Sequence, residues 1–413
     1  VTNPYPPPPP WARDIATVAV TGTKGKSSTT RFVWAGLSAD ASGPVGRVST
    51  VDAALGEELG PPPADHADFL RLMTRLHERG GRRAAIEATS AALGLGFSRA
   101  WPFRVGVFTN LGHDHLRTHG SFEHYLASKA QLFVALPAGG VAVLNADDPN
   151  SSLIAEVLPA GVRTLWFAGP GERTHEAAGA DAQRRVDLRV LDARASWSGL
   201  ELELAGSGEL ASVPATLKLR VLPAFQAPNV AAALLACAAL GVPAARAAAA
   251  IAECEGPRGR FELVAGHDGD GQPRVVIDYA HTPEALRAAL DSARTLCSGR
   301  VVLVTGAGGD TDPGKRQPLG AAAALADVVW LTSDNPRGED PRAIAEDLRV
   351  GLGDREARVE LDRRRAVAGA IAEAGEEDLV IVAGKGHEQV QEIRGERIVM
   401  SDHELVADGL ERR

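Results

Sequence analysis

The segment Thr21-Gly22-Thr23-Lys24-Gly25-Lys26-Ser27-Ser28 directly follows the apolar run Thr17-Val18-Ala19-Val20 and precedes a helix-like stretch. A strand, a short glycine loop and a helix in that order commit the chain to a wound α/β architecture. Gly22 and Gly25 let the backbone turn tightly, so that the loop Gly22, Thr23, Gly25, Lys26, Ser27 and Ser28 can aim its N–H groups inward. Lys26 adds a point charge for phosphate, and Ser27 a hydroxyl for magnesium. A nucleoside triphosphate is the ligand such a loop suits. The spacing is G-x-x-G-K-S, because Val20 stands where the longer phosphate-loop pattern has its first glycine. A strand-to-helix turn with no ligand has the same outline.

At 413 residues the chain is too long for one ordinary core, and two domains are expected. Charged residues at 23% and hydrophobic residues at 45% describe a soluble globular protein. A net charge of -9 with no basic block argues against nucleic acid as substrate or partner, so anionic small molecules would be met by local positive sites. Cys237, Cys254 and Cys297 show no metal-ligand spacing, which fits a reducing cytoplasm. No apolar run is long enough to span a membrane. The proline-rich start, residues 1–14, reads as a stiff extended leader, with a ligand for an aromatic groove as the rival reading.

Short apolar runs alternate with alanine-rich helical stretches. Ala84-Ala85-Ile86, Val105 to Phe108 and Val141 to Leu144 are expected as buried strands of a first unit. From Arg185 to Val221 the alternation in Leu200-Glu201-Leu202-Glu203-Leu204 predicts β-structure with one wet face, at the edge of that unit. The punctuation Gly256-Pro257-Arg258-Gly259-Arg260 places a boundary, giving one domain over 15–256 and a second over 257–413. In the second, Val275 to Ile277, Val301 to Val304, Val328 to Leu331 and Leu379 to Val382 predict a separate open sheet.

Further along lie Thr109-Asn110-Leu111-Gly112-His113-Asp114-His115-Leu116, Ser128-Lys129-Ala130, Asp278-Tyr279-Ala280-His281-Thr282-Pro283, Asp334-Asn335-Pro336-Arg337 and Gly384-Lys385-Gly386-His387-Glu388. With the phosphate loop, these motifs in this order resemble the Mur ligase family, nearest to the branch that adds the third residue to a UDP-N-acetylmuramoyl peptide. The likeness runs from about residue 15 to residue 413. It implies an α/β fold, with a central P-loop ATPase-like domain followed by a Rossmann-like C-terminal domain. It also implies an ATP-dependent, ADP-forming ligase that activates a carboxylate as an acyl phosphate and captures it with an amino-acid amine.

Carried over residue by residue, the resemblance assigns Ser27, Glu87, His115 and Lys129 to Mg²⁺, with Lys129 carbamylated and with Lys26, Glu87, His115 and Lys129 as the activating group. A carboxylate, an imidazole and a hydroxyl suit a cation that also holds phosphate oxygens. Without the family, His113, His115 and His119 read as surface histidines or as zinc ligands, and Lys129 as a surface helix lysine. Gln226 and Asn229 match the amides that read adenine, although Pro228-Asn229 could simply open a helix. Arg260, Asp278 and His281 match the triphosphate- and ribose-side residues of the second domain. Arg316, Asp334, Asn335, Arg337, Gly384 and Glu388 match the amine-donor pocket, whose D-N-P-R form goes with meso-diaminopimelate; Arg337 would take the distal carboxylate and Glu388 the amine.

Ser90 is retained in the acceptor segment, but Ala91 stands where the family has histidine, and Pro61-Pro62-Pro63 where a pair of threonines usually contacts the acceptor. In the family a UDP-binding domain also precedes the phosphate loop. Together these differences lead to the expectation of a carboxylate acceptor other than the UDP-linked dipeptide, supplied free or by a partner protein. A folylpolyglutamate- or cyanophycin-type ligase, or a non-catalytic nucleotide-binding subunit, is the alternative function.

Overall fold

The computed structural model describes residues 5–112, 120–171, 186–266 and 271–413. The chain divides into two compact units, Val1–Arg194 with Gly199–Glu255, and Gly256–Arg413 with Ala195–Ser198. The first is built on an eleven-stranded sheet. In chain order its strands are β1 (Ala16–Thr21), β2 (Val45–Val48), β3 (Ala53–Leu55), β4 (Glu58–Gly60), β5 (Arg83–Glu87), β6 (Val105–Phe108), β7 (Val141–Asn145), β8 (Arg163–Ala168), β9 (Leu188–Ser196), β10 (Gly199–Gly206) and β11 (Thr216–Leu219).

Their spatial order is β11-β10-β9-β8-β7-β6-β1-β5-β2-β3-β4. β1 pairs in parallel with β5 on one side and β6 on the other. The chain therefore leaves β1 toward one edge and later returns to its other side, and the loop after β1 opens at the point where the strand order reverses. In open α/β sheets ligands bind at such a point, beyond the carboxyl ends of the strands. The central strands are fully buried, as their unbroken Val, Ala and Ile runs demand of parallel strands covered on both faces. β10 and β11 pair antiparallel at one edge with alternating burial, as the Leu-Glu alternation predicts. One core layer gathers Ala19, Ile86, Phe108, Leu132, Phe133 and Leu144 with the aromatic group Phe69, Phe97, Trp101 and Phe103. On the helix Ala227–Ala239 nearly every residue is buried, which small alanine side chains permit.

The second unit carries a six-stranded sheet in the order β12-β13-β17-β14-β15-β16. These strands are β12 (Glu262–Ala265), β13 (Arg274–Asp278), β14 (Val301–Thr305), β15 (Val328–Leu331), β16 (Arg358–Val359) and β17 (Leu379–Ala383). The four runs expected from sequence form the parallel centre, and β12 adds antiparallel to β13. The hairpin of β18 (Val390–Ile393) and β19 (Glu396–Val399) stands apart as its own two-stranded sheet. Val275, Ile277, Val302, Val304, Val380 and Val382 pack against Val367, Ile371 and Leu405 of the covering helices.

Candidate active site

The phosphate loop joins β1 to the helix Lys26–Ser38, whose N-cap is Gly25. Gly25 has φ +81°, a left-handed conformation that glycine adopts at little cost, and it brings no capping side chain. No acidic residue occupies the first helical turn. The helix thus keeps its N-terminal dipole and donors for an anion. Lys26 Nζ donates to the Thr23 carbonyl at 2.9 Å, folding the ammonium over the loop. Asn110 pins the loop from β6's end: the Lys24 N–H donates to its Oδ1 at 2.9 Å, and its Nδ2 donates to the Lys24 carbonyl at 3.2 Å. The Thr109 hydroxyl donates to the same carbonyl at 2.7 Å.

Glu87 ends β5 beside this loop, buried, and its Oε2 accepts from the Ser27 hydroxyl at 2.8 Å. The parallel register that sets Glu87 opposite Val20 delivers the carboxylate there. Thr50, which sequence reasoning did not single out, donates its N–H to Glu87 Oε2 at 3.1 Å and its hydroxyl at 3.2 Å. Ser27 and Glu87 thus form a pair of hard oxygen donors at the mouth of a phosphate cradle, a donor set that fits Mg²⁺. Among the described residues no three His, Cys, Asp or Glu side chains gather as a metal cluster. His115, the second expected ligand, lies outside the described residues, as do His113 and His119.

Lys129 is not a surface residue: it is 1% exposed on the helix Phe122–Val134. Its Nζ donates to the Gly22 carbonyl at 2.6 Å and lies 4.2 Å from the centre of the Tyr125 ring. The Tyr125 hydroxyl in turn meets the Thr23 hydroxyl at 3.2 Å. Lys129 is therefore brought to the loop. A carbamate on Nζ would keep one N–H for Gly22 and add oxygen ligands.

The amides Gln226 and Asn229 are both buried and are wired to the first helix. Asn229 Oδ1 accepts from the Thr29 hydroxyl at 3.2 Å, its Nδ2 donates to Gln226 Oε1 at 2.8 Å, and Gln226 Nε2 donates to the Ser28 hydroxyl at 3.3 Å. Ser90 opens the short helix Ser90–Gly94 and is buried, Ala91 beside it is exposed, and Pro61 and Pro62 are exposed.

In the second unit Asp278 ends β13 in a buried position. Its oxygens accept from the N–H groups of Phe261 at 2.6 Å and Ala280 at 2.8 Å. Burial nevertheless pushes its carboxyl up to about 6, with the nearby Arg260 charge and the two N–H groups pulling the other way. The Arg260 guanidinium stacks over Tyr279 at 4.3 Å from the ring centre, and its buried Nε has no hydrogen-bond partner among the described residues. His281 donates from Nδ1 to the Tyr279 carbonyl at 2.8 Å, which leaves Nε2 as the acceptor of the neutral ring.

Of the residues expected to hold the amine donor, Asp334, Asn335 and Arg337 follow β15, Gly384 and Glu388 follow β17, and Arg316 opens the helix Arg316–Ala323. Asn335 Nδ2 donates to Glu388 Oε2 at 2.8 Å. Asp334 is buried, which raises its carboxyl above the ordinary range, with Arg363 and Lys385 opposing. Gly384, at φ +113°, leaves the space that Asp334 Oδ2 occupies, so a side chain there would displace that carboxylate. Arg337 adopts φ +48°, donates from Nη1 to the Gly309 carbonyl at 2.7 Å, and pairs with Glu392 at 3.3 Å. Arg316 is buried and its guanidinium is engaged by Asp347 at 3.0 Å and Glu339 at 2.8 Å. Its buried Nε has no hydrogen-bond partner among the described residues. Lys385 is buried, and the Arg363–Asp402 pair, at 0% exposure on both sides, also reaches the Ala383 carbonyl through Arg363 Nη2 at 3.1 Å. Lys385 stood inside a quoted motif, whereas nothing local marked Arg363 or Asp402.

Residues 20–237 match the Mur ligase middle domain, and residues 259–386 the Mur ligase, glutamate ligase domain. The chain belongs to the Mur ligase family. The UDP-N-acetylmuramoyl-L-alanyl-D-glutamate--2,6-diaminopimelate ligase of Alkalilimnicola ehrlichii is 40% identical over 397 residues, covering 95% of this chain and 76% of that protein. The ligase of the same name from Streptomyces coelicolor is 35% identical over 412 residues, covering 97% and 77%. A solved 2,6-diaminopimelate ligase superposes with a TM-score of 0.64 at 30% identity, covering 96% of this chain and 78% of that one. Folylpolyglutamate synthase from Mycobacterium tuberculosis, solved with ADP and AMPPCP, reaches a TM-score of 0.68 at 20% identity over 90% of this chain and 89% of its own, a likeness of fold alone. The protein is accordingly an ATP-dependent acid–amino-acid ligase that forms ADP, acting on small-molecule substrates. The folylpolyglutamate-type and non-catalytic alternatives are not favoured. Among the described residues no helix is long and apolar enough to cross a membrane.

Proposed function

We propose that this ligase joins the amine of 2,6-diaminopimelate to a peptidyl carboxylate in cell-wall precursor synthesis. The observation that carries the donor assignment is the Asp334-Asn335-Pro336-Arg337 corner, with Asn335 hydrogen-bonded to Glu388 at 2.8 Å and the exposed part of Arg337 beside it. A guanidinium and a carboxylate at one pocket suit the carboxylate and ammonium of a zwitterionic distal end. The names of the relatives supply the same donor.

ATP is held by the loop from Gly22 to Ser28, its phosphates on the helix N-terminus and on Lys26. Gln226 and Asn229 take the adenine side, and Arg260, Asp278 and His281 are the residues assigned to the triphosphate and ribose. Ser27 and Glu87, with His115 and a carbamylated Lys129, would hold Mg²⁺, which when bound supplies charge neutralisation at the phosphates. The acceptor carboxylate oxygen attacks the γ-phosphorus and the bond to the β–γ bridging oxygen breaks, releasing ADP. Lys26 is placed to stabilise the spreading charge. The donor amine then attacks the acyl carbon, its proton is lost to solvent or a nearby base, and phosphate leaves.

For the acceptor, the relatives' UDP-N-acetylmuramoyl-L-alanyl-D-glutamate is the first reading. Exposed Ala91 and the exposed Pro61-Pro62 pair favour a second, a different acid delivered free or by a partner protein. ADP release should be measured with diaminopimelate and either the UDP-linked dipeptide or a panel of free acids and short peptides. Diaminopimelate-dependent release with any of these acceptors supports the donor assignment. If only small apolar amino acids sustain turnover, the donor assignment fails.

A further inference from the structure

Lys385 is 0% exposed and sits one residue after Gly384 at the carboxyl end of β17. An ammonium has three N–H donors, and here three acceptors meet it: the Val390 carbonyl at 2.6 Å, Asn335 Oδ1 at 3.2 Å and Glu388 Oε2 at 3.2 Å. Asn335 is fixed by the same group. Its Oδ1 also accepts from the Glu392 N–H at 3.0 Å, which forces Nδ2 toward Glu388 Oε2. One oxygen of Glu388 is therefore engaged by two donors. The other, Oε1, meets the Tyr279 hydroxyl at a long 3.5 Å, and the side chain is 32% exposed.

The consequence is chemical asymmetry in one carboxylate. Oε2 is held by buried groups, and Oε1 is turned to the open side as an acceptor. Asp334 feels the negative charges of Glu388 and Asp402 and the positive charges of Arg363 and Lys385, so without the cations these acids would repel one another. A buried cation offsets that repulsion and holds the acceptor geometry before any ligand arrives.

We propose that Lys385 is a specificity-determining positioning residue, which orients Glu388 through Oε2 so that Oε1 reads the distal ammonium of the amine donor. This rests on reading Glu388 as the partner of the donor ammonium. Lys385 touches no substrate; it acts through Glu388 and Asn335.

The test uses the full chain and two donors, meso-diaminopimelate and 2-aminopimelate, which lacks the distal amine. In the unsubstituted protein diaminopimelate should be preferred. Lys385→Met should lose roughly tenfold to a hundredfold in kcat/KM for diaminopimelate, while kcat/KM for 2-aminopimelate changes by less than about threefold and KM for ATP is kept. In a Glu388→Gln background Lys385→Met should cost diaminopimelate little more. Lys385→Gln, which retains a donor for the Val390 carbonyl, carries the same comparison if the Met variant does not fold. Equal losses on both donors would overturn the positioning role and make Lys385 a structural residue. If the unsubstituted protein turns over both donors without discrimination, it is the reading of Glu388 that fails.

Discussion

Replacing Gly25 by Ala tests how far Asn229 is wired to the loop after β1. The residue sits at φ +81°, and an added Cβ would collide with Asn229 Oδ1. Holding a non-glycine residue in the left-handed region costs about 1–2 kcal/mol. Relief of the collision moves Asn229 off its bonds to Thr29 and Gln226, at 3.2 Å and 2.8 Å. Two buried hydrogen bonds are worth about 2 kcal/mol together. Gly25→Ala should therefore destabilise the nucleotide-binding unit by about 3–4 kcal/mol. Asn229→Ala removes the same two bonds and should cost about 2 kcal/mol. In the double variant the collision is gone, so the costs should fall short of additivity by about 2 kcal/mol. Urea unfolding of the four proteins measures the cycle, and ADP titration should show Gly25→Ala weakened by roughly thirtyfold. Strict additivity would refute the reasoning, because it would mean that Gly25 and Asn229 do not share the space.

Lys129→Ala should abolish ligation, and high bicarbonate should partly restore a CO₂-stripped preparation of the unsubstituted protein; near-normal turnover of the variant would remove Lys129 from the activating group. Arg337→Ala should reduce kcat/KM for diaminopimelate by a factor equivalent to about 2–4 kcal/mol, with KM for ATP little changed, as read by steady-state kinetics. Asp278, raised by burial from the ordinary 3.8 to about 6, favours the protonated form in the folded protein. Its contribution to stability is present in full below pH 3.8 and is lost as pH rises toward 6, amounting to about 3 kcal/mol at 1.36 kcal/mol per unit. The stability of the unsubstituted protein relative to Asp278→Asn should fall over that interval, and a carboxyl NMR titration should place the midpoint near the upper end.

The central parallel strands β1, β5, β6, β7, β13, β14, β15 and β17 were legible because each holds a short unbroken apolar run, a signal that burial on both faces imposes on the residues themselves; β2 and β8, interrupted by Arg47 and by Arg163 and Thr164, were not. β10 and β11 were legible for the opposite reason, one wet face. The two-residue β16, Arg358–Val359, and β19 are exposed and partly charged, and β18 is a half-buried polar strand that buries Gln391, so none of them carries such a pattern. At the site, Glu87 could be placed because it ends a strand whose register with β1 is fixed. Thr50 could not, because its contact with Glu87 depends on the β2–β3 turn, held by Ser49 and Asp52. Lys129 reads locally as an ordinary helix lysine, and its burial under the phosphate loop is a tertiary fact. The same holds for Arg363 and Asp402, which lie far apart in sequence yet meet at 2.7 Å. The engagement of Arg316 by Glu339 and Asp347 was likewise invisible, since the motif gives the residue but not its neighbours.

Activation of the carboxylate by phosphoryl transfer, before the amine arrives, moves an acceptor oxygen onto phosphate. Labelling both carboxylate oxygens of the acceptor with ¹⁸O and analysing the inorganic phosphate after turnover with ATP and diaminopimelate tests it directly. Attack of the carboxylate on the γ-phosphorus followed by departure of phosphate transfers one labelled oxygen per turnover, so singly labelled phosphate should accumulate in step with ADP. Unlabelled phosphate alongside full product formation would contradict the account.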